Sequence, residues 1–177
     1  MQSEAASGMT ADNEGLTATV DWTAAVWAGV LAGAISFLLY LFLVPALVGS
    51  GNAWAMMRYI ASIPMGSDVL APPATFDGAL MVAALGVHFA LAIIMALVIA
   101  FVLHRGGMLT GILGGAVFGL IFFAINYHTM TLFFPHLFAM SHWTVVAIHV
   151  VFGALAGGIY ELLELEPGER LPAGTPS

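Results

Sequence analysis

Between Leu109 and Tyr127 the chain reads LTGILGGAVFGLIFFAINY, without a single charged side chain. About 20 apolar residues suffice for a helix to cross the hydrocarbon of a bilayer. Gly111, Gly115 and Gly119 recur at every fourth position of this stretch, so on a helix they form one bare stripe. In water each such glycine would weaken a helix by about 1 kcal/mol relative to alanine. In lipid, helices associate through close van der Waals packing, and a bare stripe lets a second backbone approach. These properties together point to helices that cross a membrane and dock on one another through small residues.

The rest of the chain repeats the pattern. Hydrophobic residues make up 61% of the 177 and charged residues 7%, against about 25% charged in a soluble domain. Four apolar stretches, at about 22–48, 78–103, 108–128 and 143–163, read as spans. The expected fold is all-α, a four-helix transmembrane bundle. Pro45 marks the end of span one, because proline lacks the amide donor a helix interior needs. The third span is expected to end near His128, with a loop from Thr129 to Ser141. The acidic segment 1–21 and the segment 167–177 read as disordered tails. The long first loop, Gly49 to Asp77, contains Trp54 to Ala61, which reads as a short interfacial helix. Trp54, Met57 and Ala61 would share its apolar face, and Arg58 could snorkel.

Several function classes fall away. Three arginines and no lysine, at a net charge of −7, give no basic patch for nucleic acid and no polybasic flank for anionic lipid. The absence of cysteine removes disulfides, thiolate metal sites and a cysteine nucleophile. There is no GxSxG or HExxH motif, nor the Glu-x-x-His pair of a diiron bundle. Arg105, in the His104–Gly107 turn, and Arg170 fall on the side of the termini, and Arg58 on the other. The positive-inside rule then puts both termini in the cytoplasm of a bacterial inner membrane.

An internal repeat is legible. Span one reads AGVLAGAISF from Ala28 and span three TGILGGAVFG from Thr110. Gly29 and Gly33 thus correspond to Gly111 and Gly115. Span two carries His88, Ala92 and Ala96 at four-residue steps, and span four carries His149, Gly153 and Gly157. Two duplicated helical hairpins account for this, by a route known for membrane bundles. Each histidine shares a face with its small-residue stripe, so both are expected indoors, in the outer half. Asn126, two turns beyond Gly119, would bring an amide to the same region.

An ionisable residue within a span is a functional candidate by default. His88, His149 and Asn126 form the candidate polar site, and a neutral imidazole bonded across helices is its bland reading. The two histidines are also the candidates for a metal. Haem b ligated axially by both, or copper, are the alternatives to having no cofactor. For copper the outer side offers Met56, Met57, Met65, Met130, Met140, His128, His136 and His142. His142 and His149 lie two turns apart, roughly 10 Å, too far to share an ion. The leading functional expectation is a non-enzymatic structural or accessory protein, its partners being membrane lipids and either further copies of itself or a membrane complex. A small channel lined by His88, Asn126 and His149 is the second expectation, and a haem or copper protein the third.

Four passages carry a family resemblance: MMRYIASIPMGSDVLAPPATFDGAL, VHFALAIIMALVIAFVL, LTGILGGAVFGLIFFAINYHTMTLFFP and HVVFGALAGGIYELL. They cover most of Met56 to Leu163. In them the chain resembles small four-span bacterial inner-membrane proteins of the YagU-like type, including proteins mislabelled as sodium:proline symporters. The resemblance implies a four-helix inner-membrane protein and carries over no catalytic residue. Sodium-coupled carriers need many more spans and discontinuous helices, for which this chain is too short.

Overall fold

The computed structural model describes residues 20–48 and 52–164. The expected disordered tails lie outside these residues, apart from Val20 and Asp21, and so does Arg170 with its part in the orientation. The described residues form helices and connecting turns, without a strand. We number the helices α1 (Trp22–Val48), α2 (Ala53–Met65), α3 (Gly78–Leu103), α4 (Gly107–Phe133) and α5 (Trp143–Leu163). Four of them, α1, α3, α4 and α5, are long and apolar enough to cross a membrane. The protein is an all-α, multi-pass membrane protein.

Side-chain exposure follows from lipid as solvent. Val82, Phe101, Leu109 and Leu132 point outward, Leu132 at 80% exposure. Small residues are prominent among the positions turned inward, with Ala25, Ala28 and Ala32 of α1 and Ala92, Ala96 and Ala100 of α3 beside larger ones such as Ile99 and Phe152, as expected where close packing joins the helices.

The four spans stand in a ring. α1 packs on α3 and α5, α4 packs most extensively on α5, and α3 and α4 meet least of the neighbouring pairs. The α4–α5 contact is backbone on backbone. A methyl added to Gly115 would strike the Gly153 carbonyl, one on Gly157 the Gly111 carbonyl, and one on Gly119 the His149 carbonyl. The three pairs step four residues in opposite directions, which is the register of antiparallel helices. Across α1 and α3 the same device is looser. A methyl on Gly29 would lie 2.9 Å from the Ile93 Cα and 3.0 Å from the Ala96 Cβ, and one on Gly33 3.0 Å from the Ala92 Cβ. These contacts are all made within this one chain.

Span one has its expected bounds and ends at Val48, three residues past Pro45. The helix passes through it to Val48 by widening into a π turn over Leu39–Leu43, where the Val44 amide bonds to Leu39 five residues back. Proline cannot donate to the carbonyl four residues before it and crowds that carbonyl. An inserted π turn relieves both effects. Span three runs on to Phe133, five residues past its expected end at His128. No proline or glycine interrupts it before Pro135, and Thr131 Oγ1 donates back to the Tyr127 carbonyl at 2.7 Å.

The first loop holds the expected helix, somewhat longer, as α2. Met57 and Ala61 are fully buried against α1 and α3, and Trp54 is half-buried. The Arg58 head group reaches the loop that follows α2. Its guanidinium donates to the carbonyls of Val69 at 2.7 Å and Thr75 at 3.1 Å, and so holds the returning loop to α2. Asn52 and Asp77 cap α2 and α3 by accepting from their first-turn amides, the usual work of these side chains.

Candidate functional site

We call the end of the bundle that carries α2 its outer end and the end that carries Trp22 and Leu163 its inner end; inside the outer half is a partly enclosed cavity of about 160 Å³. All four spans contribute to its wall: Ser36 and Tyr40 from α1, His88 and Met95 from α3, Phe123, Asn126 and Tyr127 from α4, His149 and Phe152 from α5. Its roof is Tyr59, Ile60 and Ile63 of α2, with Leu137 and Met140 of the turn Pro135–Met140. Ser62 of α2 and His136 of that turn are hydrogen-bonded, Oγ to Nε2, at 2.8 Å. The two outer loops are thereby tied together above the cavity.

The floor is solid. Beneath Ala92, Met95 and Phe152 come Ala96, Ile99 and Ala156, all buried. Below those lie Ala25, Ala28, Ala100 and Tyr160, also buried. At this inner end the Tyr160 hydroxyl accepts from the Asp21 amide at 3.3 Å and donates to the Glu164 carboxylate at 2.9 Å.

The cavity brings together the three polar residues singled out from the sequence. His88 Nε2 donates to the Gly33 carbonyl at 2.8 Å, and Ser36 Oγ donates to the same oxygen at 3.0 Å. His149 Nδ1 lies 2.9 Å from the Val145 carbonyl and 3.0 Å from the Tyr40 hydroxyl oxygen. A carbonyl can only accept, which assigns the proton of His88 to Nε2. Nδ1 of His149 faces both the Val145 carbonyl, to which it can donate, and the Tyr40 hydroxyl, from which it can accept. Neutral His88 then keeps one bare nitrogen, Nδ1. Asn126 lines the same space, and its side-chain amide has no hydrogen-bond partner among the described residues.

Two members of the site were not singled out in the sequence. Tyr40 stands between the imidazoles, its ring centroid 6.1 Å from that of His88 and 6.2 Å from that of His149, edge-on to both. It belongs to the π turn, and the sequence signal is a proline five residues downstream within a span. Tyr127 is the other. Its hydroxyl is buried and has no partner, a condition that costs about 1–3 kcal/mol if nothing fills the space. No sequence pattern marks it, since the neighbouring Asn126 and His128 are equally polar.

Of the other outer residues weighed for copper, Met130 and Met140 line the cavity and Met56 packs beside Met140, while the remaining histidines are dispersed. His136 serves the loop tie. His142 Nδ1 accepts from the Thr144 amide at 3.3 Å and caps α5. His128 is exposed. Among the described residues no three His, Asp or Glu side chains converge as a metal site would require. The chain matches no protein-family model, no curated protein and no solved structure.

Proposed function

We propose that this membrane protein is a non-enzymatic binder that holds a small molecule in the cavity roofed by α2. The observation that carries this reading is a pocket furnished with polar side chains from every span and closed on its inner side. A purely structural or accessory role accounts for the sealed inner half, but gives no reason for a buried phenol and an amide left without partners. A channel would need a continuation past Ile99 and Tyr160, and the packing there favours a dead-ended pocket. Haem is disfavoured by Tyr40, which occupies the space between the two rings that would have to share an iron.

The setting we infer is a bacterial inner membrane with both termini cytoplasmic, supported by Arg105 in the short turn between α3 and α4. Origin by duplication of one hairpin is supported by register. Gly33 faces Ala92 in the first hairpin as Gly115 faces Gly153 in the second, and Gly29 faces Ala96 as Gly111 faces Gly157.

The test uses fluorobenzene, since a cavity of about 150 Å³ is known to take benzene. In nanodiscs, ¹⁹F NMR should show saturable binding to the full-length protein and none to Ile148→Trp, which fills the cavity. Proteoliposomes should show no ion or solute flux above that of empty vesicles. Flux through the wild type, or fluorobenzene binding that the filled variant retains, would refute the pocket.

A further inference from the structure

We propose that the ligand of this cavity is a single six-membered ring bearing a hydroxyl, of the phenol or hydroquinone class. This rests on the pocket reading above and specifies its occupant.

Size comes first. The volume of about 160 Å³ matches the roughly 150 Å³ that encloses one benzene ring. It is well below the 300–1,000 Å³ of pockets for drug-sized ligands. The enclosed part therefore takes one ring, and a larger molecule extends through its open side. Shape comes second. Phe123, Phe152 and Tyr40 line the space together with Met95 and Ile148. Such a lining suits the faces and edges of an aromatic ring.

Polarity then separates a phenol from plain benzene. The bare nitrogen of His88, Nδ1, is an acceptor, because Nε2 has given its proton to the Gly33 carbonyl. A phenolic hydroxyl is a donor that such a nitrogen can take. The Asn126 amide, which lines the cavity without a partner among the described residues, can in turn donate to the ligand oxygen. The cavity thus offers an acceptor for the proton and a donor for the lone pairs of a hydroxyl, among otherwise apolar walls. A carboxylate or an ammonium ion would find no opposite charge there: no Asp, Glu, Lys or Arg lines the cavity.

A phenolic ring reaches such a site as a free small molecule or as the head group of a membrane quinol. The experiment compares 4-fluorophenol with fluorobenzene by ¹⁹F NMR, on the full-length protein in nanodiscs. The hydroxyl should tighten binding by about tenfold, the gain of one net hydrogen bond. Asn126→Leu should reduce that difference and leave fluorobenzene binding intact. Equal affinity of the two probes would overturn the phenol class while leaving the pocket standing. Failure of both probes to bind would remove the pocket itself. Competition in the wild type, which needs no variant to fold, uses hydroquinone and a prenylated quinol against bound 4-fluorophenol. Displacement by the tailed quinol names the lipid pool as the source, and displacement by hydroquinone alone a soluble phenol. Displacement by neither contradicts the proposal.

Discussion

Tyr40 Oη lies 3.0 Å from His149 Nδ1 and so joins the first span to the fourth across 109 residues of chain. Tyr40 belongs to the π turn Leu39–Leu43. The π turn in turn accommodates Pro45. A backbone irregularity, a tyrosine and a histidine act here as one unit at the wall of the cavity.

A double-mutant cycle of Tyr40→Phe and His149→Leu measures that unit. Cross-helix hydrogen bonds in membranes average about 0.6 kcal/mol and reach at most about 1.7. The coupling energy should fall in this range when equilibrium unfolding is followed in mixed micelles. A coupling of zero would mean that the two side chains act independently.

The glycine contact between α4 and α5 should be far less tolerant than glycines elsewhere. Gly153→Ala places a methyl on the Gly115 carbonyl and is expected to destabilise by about 1–3 kcal/mol or more, the range for overpacking. Gly86→Ala meets nothing within 4 Å and should be neutral. The same unfolding assay on both variants checks the contrast; equal effects would show that the backbones do not meet as described.

Arg58 should act locally. In Arg58→Ala the carbonyls of Val69 and Thr75 lose their donors. Amide exchange between residues 67 and 75 should accelerate, while exchange in α3 and α5 stays unchanged. Acceleration spread over the whole bundle would instead make Arg58 a global stabiliser.

At the other end, Tyr160→Phe removes the hydroxyl that links the Asp21 amide to the Glu164 carboxylate. A loss of about 1 kcal/mol is expected, with faster exchange at the first turn of α1 and no change in fluorobenzene binding. Altered probe binding would show that the inner end communicates with the cavity.

What could be read from the chain alone was local and periodic. Absence of charge over a bilayer's length gives the number of spans, because no partner in lipid can offset a stray charge cheaply. Four-residue spacing gives the docking faces, because a helix repeats every 3.6 residues wherever it sits. That is why Gly111, Gly115, Gly119, Gly153 and Gly157, with Gly29, Gly33, Ala92 and Ala96, were legible as contacts, and why His88 and His149 were expected indoors. Only the tertiary structure decided that these stripes meet within one chain. It also decided that Tyr40 comes between the histidines, that Tyr127 is left without a partner, and that α2 becomes a roof. A cavity is a difference between how closely four helices approach at one end and at the other. Glycine against glycine and alanine against alanine close the inner half, while histidine, tyrosine and phenylalanine prop the outer half apart. No single helix carries that difference in its own sequence.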